Sequence, residues 1–134
     1  MKVLVIDGQG GSIGKEVISR IKAELPGMEV TAVGTNAMAT ENMLKARPDH
    51  AATGENPVVV NAAEADIIVG PIGMVVANAM FGEVTARMAL AIGKSTAKKF
   101  LIPINHCNNI VVGVSDLSVK TLLDSLIKEM KAAK

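Results

Sequence analysis

Aromatic side chains are almost missing: the 134 residues hold two phenylalanines, no tyrosine and no tryptophan. With so few rings to stack on bases, single-stranded nucleic acid is a poor candidate ligand. Charge of one sign is missing too. Lys and Arg number 14 against 13 Asp and Glu, a formal net charge of +1. No broad field therefore draws the chain to nucleic acid or an anionic membrane, and only the short pair Lys98-Lys99 stands out as basic. A single cysteine, Cys107, leaves no intramolecular disulfide and fits a reducing compartment. Charges, glycines or prolines interrupt every apolar run before it reaches membrane-spanning length. The first residues already read as strand rather than leader, so a cytoplasmic protein is expected.

What the chain has in quantity is aliphatic side chain. Apolar residues make up 49% of it, charged residues 20%, and the mean hydropathy is +0.36. A single domain over 1–134 can bury a full core with apolar surface left over. Such surplus is usually hidden between identical subunits. A homo-oligomer is expected, with the small-residue, apolar region 74–92 as its interface.

Strand and helix patterns alternate. Lys2 to Ile6 reads as a buried parallel strand. The stripe Ile13, Val17, Ile18, Ile21 and Leu25 marks a helix stopped by Pro26-Gly27. A second strand covers Glu29 to Gly34, and Thr35 or Asn36 can cap a helix over Ala37 to Ala46. A short strand at His50 to Thr53 precedes Asn56-Pro57, a helix start that runs to Ala65. The fourth strand is Asp66 to Gly70, and a long helical region over Met74 to Ile92 follows, with Phe81-Gly82 as a break point. Lys98 to Ile104 is a fifth strand. Ile110 to Val114 would be a sixth, too close behind the fifth for a parallel crossover and so antiparallel to it in a hairpin. A final helix capped by Asp116 or Ser118 turns Val119, Leu122, Leu123, Leu126, Ile127 and Met130 inward. The expected architecture is α/β: a doubly wound, mostly parallel Rossmann-like sheet of order 3-2-1-4-5-6 with helices on both faces. Its switch point brings together residues 7–14, 34–36, 70–73 and 105–109 at the carboxyl ends of the strands.

The strongest local signal lies where the first strand empties into Asp7-Gly8-Gln9-Gly10-Gly11-Ser12-Ile13-Gly14. Backbone N–H groups and a helix N-terminus there suit a phosphate. Gly8 allows the turn, Gly11 lets backbone approach a pyrophosphate, and Gly14 lets the helix pack closely. The alternative is a glycine turn that merely closes a tight corner. A Walker-type loop is excluded, because Gln9 stands where that pattern needs glycine and Glu16 where it needs Ser or Thr. The spacing Gly8, Gly11, Gly14 resembles the loop of extended short-chain dehydrogenase/reductases over about a dozen residues. That resemblance implies NAD or NADP, with phosphates on Gly10–Gly14 and the far end of the ligand at Thr35 and Asn36. Gly70, Pro71 and Ile72 complete the expected nucleotide site. Two departures stand against a dehydrogenase. The second strand ends without the carboxylate that holds an NAD ribose, and no tyrosine exists to form a Tyr-Lys pair.

Over its whole length the chain resembles a family of short bacterial proteins known as a domain of unknown function. The matching stretches are Ile6–Gly11, Gly34–Asn36, Ile68–Gly73 and Ile102–Asn105. The resemblance implies a compact Rossmann-like unit and carries no activity.

Three residues are candidates for chemistry. Asp7 ends the first strand and either caps nearby N–H groups, binds a cation or meets a sugar. Asn105 ends the fifth strand, and His106 precedes Cys107 in a turn. Glu83 reads as a helix-opening carboxylate stabilised by the dipole. No His, Cys, Asp or Glu spacing suits a metal. The leading functional expectation is a nucleotide-binding protein, NAD(P) first. The alternatives are a non-catalytic oligomeric sensor or subunit and an enzyme using Asp7, Asn105 and His106 on a phosphorylated metabolite.

Overall fold

A computed structural model describes residues 1–104 and 108–133. Five strands form one sheet in the order β3-β2-β1-β4-β5: β1 is Lys2–Asp7, β2 Glu29–Gly34, β3 His50–Thr53, β4 Ile67–Pro71 and β5 Lys98–Ile102. Every pairing is parallel, and the β1–β2 register runs from Lys2 opposite Glu29 to Asp7 opposite Gly34. The helices are α1 Ser12–Glu24, α2 Ala37–Leu44, α3 Glu55–Glu64, α4 Ala86–Lys94 and α5 Val119–Ala132.

Because side chains alternate along a strand, β1 feeds two cores at once. Val3 and Val5 pack with Val17, Ile18 and Ile21 of α1, Met43 of α2 and Leu126, Ile127 and Met130 of α5. Leu4 and Ile6 face the other way, onto Val58 and Ala62 of α3 and Met88 and Ile92 of α4. Helices on both faces explain why β1 and β4 read as unbroken apolar runs. The same alternation sends Asp7, two residues beyond Val5, to the α1 side of the sheet.

Local chemistry sets the helix ends. The Asn36 side chain accepts the Ala39 N–H at 2.8 Å and starts α2. Ser118 accepts the Thr121 N–H at 3.2 Å and starts α5. The start of α3 falls earlier than Asn56: Gly54 occupies the cap and Pro57 lies inside the first turn, where its missing N–H costs no hydrogen bond.

One expectation about this architecture fails and another holds only in part. The sixth strand does not form: Ile110–Val114 contains no strand, and the sheet ends at β5. The Val114 N–H donates to the Val111 carbonyl at 3.2 Å, and Gly113 at φ +88° closes that turn. A chain bent there cannot lie extended along β5. The helical region 74–92 does break at the expected Phe81-Gly82 point, but over a wider stretch than two residues. A 3₁₀ turn at Ile72–Val75 gives way to a chain of turns, and α4 starts only at Ala86, capped by Thr85. Asn78, Met80 and Phe81 have φ of +68°, +58° and +56°, which a helix excludes. Much of its apolar content is also spent inside: Met74, Ala79, Met80, Val84, Met88 and Ile92 are buried in the protein's own core. Region 74–92 therefore contributes to the core, while Phe81 and Leu90 stay exposed on its outer side.

Among the described residues no helix is long and apolar enough to cross a membrane, and no group of three His, Cys, Asp or Glu could hold a metal ion.

Candidate functional site at the carboxyl edge of the sheet

The β1–α1 loop lies at the switch point between β1 and β4, where open α/β sheets leave a crevice. Its N–H groups are not all bare. The Asp7 carboxylate folds back over the start of α1, accepting the Gly8 N–H at 2.8 Å on one oxygen and the Gly14 N–H at 2.7 Å on the other. Asp7 is thus the anion at the head of α1, and a phosphate cannot occupy the same place. Burial raises its pKa above 3.8, opposed by the N–H groups of Gly14, Gly8 and Ile13 and reinforced by the negative charge of Glu83.

Glu83 is the second carboxylate of the corner. One of its oxygens, Oε1, accepts three donors: the Gln9 N–H at 2.9 Å, the Thr35 hydroxyl at 2.7 Å and the Asn36 side-chain amide at 2.7 Å. Burial alone would raise this carboxyl, but those donors together hold it below 4.5. Glu83 does not open a helix. It stands in the turn before α4, and through it that turn, the glycine loop and the end of β2 are one hydrogen-bonded unit. Asn36 adds a bond from its amide to the Gln9 carbonyl at 3.0 Å, and Asn42 bonds the Gly10 carbonyl at 2.9 Å.

Two donors remain. The Gly11 N–H is used by the Gly8 carbonyl at 3.0 Å, but among the described residues the N–H groups of Gly10 and Ser12 have no acceptor. Gln9, Gly10 and Ser12 are exposed, whereas Gly8, Gly11 and Gly14 are buried. The exposed shoulder at Gly10–Ser12, with the Ser12 hydroxyl beside it, is the part of the loop open to a ligand.

The glycines divide accordingly. Gly11 has φ +72°, and a Cβ there would come within 2.6 Å of the Ala39 carbonyl oxygen. It is needed for the approach of α2. A Cβ at Gly10 would meet nothing within 4 Å. Ile13 is half-buried against the α1 core. At the end of β4, Gly70 and Pro71 are buried and Ile72 is half-buried; a Cβ on Gly70 would crowd the Ile6 carbonyl at 2.5 Å. Gly70 therefore holds β1 and β4 together. Thr35 and Asn36 do come to the loop, by way of Glu83. Asn105 and His106 lie outside the described residues.

Sequence reasoning missed what Glu83 does, since its partners are 47, 48 and 74 residues away in the chain. A cavity of about 270 Å³ lined by Lys2, Glu29, His50, Asn61 and Glu64 opens elsewhere, at the amino ends of β1 and β2.

A family model described as a domain of unknown function (DUF3842) matches residues 2–134. No curated protein matches the chain. Among solved structures, the chain is similar to a dodecameric FMN-dependent UbiX-like decarboxylase from Escherichia coli O157:H7. The two are 15% identical, with a TM-score of 0.51 over 98% of this chain and 76% of the other. At that identity the likeness establishes the α/β fold.

Two predictions follow from the loop geometry. Gly11→Ala should destabilise the fold by about 1–3 kcal/mol, from a strained φ and a clash with α2, while Gly10→Ala stays within about 0.5 kcal/mol of wild type. Urea denaturation of both variants checks the difference. The second concerns pH. With its carboxyl raised above 3.8, folded Asp7 holds a proton more tightly than the unfolded chain does between 3.8 and the raised value. Its contribution to stability therefore grows as pH falls through that window and is lost as pH rises. The stability of wild type relative to Asp7→Asn should increase from neutral pH towards the acid side; a flat difference would refute the assignment.

Proposed function

The chain belongs to this family of unknown function, and from that premise we propose that it binds a phosphorylated nucleotide at the β1–α1 corner, with flavin mononucleotide ahead of NAD(P). The observation that carries the reading is the exposed shoulder at the head of α1. There the N–H groups of Gly10 and Ser12 have no acceptor among the described residues. Two N–H groups, a hydroxyl and a helix N-terminus can seat one phosphate. The fold shared with an FMN-dependent protein favours a flavin as the first ligand to try. Two further features point the same way. The end of β2 carries Thr35 and Asn36 in place of a carboxylate for an NAD ribose. Phe81, two residues before Glu83, is 101% exposed, an aromatic face of the kind that a planar ring system can stack on. In this reading the phosphate lies on Gly10 and Ser12, Asp7 holds the loop in shape, and the turn carrying Phe81 and Glu83 borders the ligand.

A ligand at a hundred times its dissociation constant stabilises its protein by about 2.7 kcal/mol, which a melting curve resolves readily. FMN should raise the melting temperature, and Gly10→Val should abolish that rise with little change in the unliganded melting temperature. No shift with FMN, NAD, NADP or ATP would refute a nucleotide function.

A specific observation also supports self-association, through a surface other than 74–92. From Phe100, within β5, to Ser115 the chain carries not a single Asp, Glu, Lys or Arg. Ile110 and Val112 there are 87% and 92% exposed, with Val114 and Leu117 exposed beside them. Charge depletion with exposed aliphatic side chains is what the centre of a subunit interface requires. Among the described residues β5 pairs with β4 alone and leaves one edge of the sheet open, a second element that a further copy of the chain could cover. Sedimentation equilibrium should find wild type associated and the Ile110→Lys, Val112→Lys double variant monomeric. A monomeric wild type, or a variant that assembles unchanged, would refute this interface.

A further inference from the structure

We propose that Glu83 restricts the ligand of this corner to one with a single anionic group next to hydroxyls, a phosphate monoester of a polyol, and turns away pyrophosphate-linked dinucleotides. The proposal rests on the phosphate-binding reading above and sharpens its ligand class.

A dinucleotide brings two linked phosphates, and each needs its own donors. The Gly10–Ser12 shoulder can serve one. The next donors along the corner are the Gln9 N–H, the Thr35 hydroxyl and the Asn36 amide, from two loops on neighbouring strands. All three converge on Glu83 Oε1, at 2.9, 2.7 and 2.7 Å. They are arranged as an anion seat, and the anion is supplied by the chain itself. A second phosphate reaching this seat would have to displace Glu83 or lie against its charge, with Asp7 close enough to feel Glu83 as a second negative centre. Like charges at such range oppose one another strongly where water is partly excluded.

The other carboxylate oxygen, Oε2, has no hydrogen-bond donor among the described residues. A carboxylate oxygen of this kind accepts from a hydroxyl as readily as it repels a phosphate. Sugar or ribityl hydroxyls placed beside a single phosphate therefore complement the corner where a second phosphate does not. The turn that carries Glu83 is built to hold it there. Its left-handed residues Asn78, Met80 and Phe81 are kept in place by Asn78 N–H to the Val84 carbonyl at 2.7 Å and Glu83 N–H to the Met80 carbonyl at 3.1 Å.

The test compares FMN with FAD, which share one ring system and differ in the pyrophosphate and the nucleoside beyond it. Calorimetric titration of wild type should show FMN binding at least tenfold tighter than FAD, about 1.4 kcal/mol. Raising the ionic strength should narrow that gap, because screening weakens the repulsion. Glu83→Gln keeps an oxygen for the three donors and removes the charge. It should bring FAD to within about threefold of FMN, mainly by tightening FAD. A purely structural Glu83 would leave the ratio unchanged. Equal affinity for the two flavins in wild type, or an unchanged ratio in Glu83→Gln, overturns this proposal and leaves nucleotide binding standing. If neither flavin binds wild type, the flavin reading fails and this inference fails with it.

Discussion

The arrangement of the whole carboxyl edge depends on one buried carboxylate. Asp7 ends β1 on the α1 side of the sheet and takes the N–H groups of Gly8 and Gly14, so strand and helix are joined by a bridge that no side chain of α1 has to supply. Buried N–H groups at a helix start need an acceptor, and here it comes from the residue before the loop. Once Asp7 holds the corner, Gly11 can turn left-handed against Ala39, and α2 can press its Met43 against Gly14. The close approach of α1 and α2 and the shape of the loop are consequences of that contact. The cost is that a charge is kept out of water, as the raised Asp7 pKa records.

This changes what a glycine-rich loop means in this chain. In the sequence, Gly8 to Gly14 reads as a row of bare N–H groups waiting for phosphate. In the folded chain most of them are committed: to Asp7, to Glu83 and to the Gly8 carbonyl. Self-satisfaction of this kind gives the corner a defined shape without ligand, so what remains open is small and specific. Among the described residues the Gly10 and Ser12 N–H groups are the exposed donors of the loop left without an acceptor, and a site with few donors selects by what else surrounds them. Here the surroundings are two carboxylates and the polar end of β2.

Much of the fold was legible because it rests on local periodicity. The Val3/Val5 and Leu4/Ile6 alternation, the stripe on α1 and the caps Asn36 and Ser118 all act within a few residues, and the strand order 3-2-1-4-5 followed from the βα alternation. The sixth strand failed for an equally local reason that outweighed β-propensity. Ile110, Val111, Val112 and Val114 favour extension, but Gly113 lets the chain fold back between them. The break at Phe81-Gly82 was legible from its glycine, but its width was not, because apolar spacing cannot report left-handed φ at Asn78, Met80 and Phe81. Of the candidate site, Asp7, the glycines, Thr35 and Asn36 were legible as neighbours of the first corner. Glu83 was not, since only the folded chain brings it to Gln9.

The strain in the turn before α4 links these points. A non-glycine residue in the left-handed region costs roughly 1–3 kcal/mol, and this turn holds three, Asn78, Met80 and Phe81. The turn itself buries Ala79, Met80 and Val84 in the core beside Met74, Met88 and Ile92. The break also carries Met80 under the loop beside Gly8 and Glu83 over Gln9, while leaving Phe81 in solvent. The hydrogen bonds that hold the turn, Asn78 to Val84 and Glu83 to Gln9, Thr35 and Asn36, offset that strain and at the same time tie it to the glycine loop. Anything that draws Glu83 away from its three donors therefore also loosens the turn. By the same linkage, the shape of the turn governs how readily those donors can be released to a ligand.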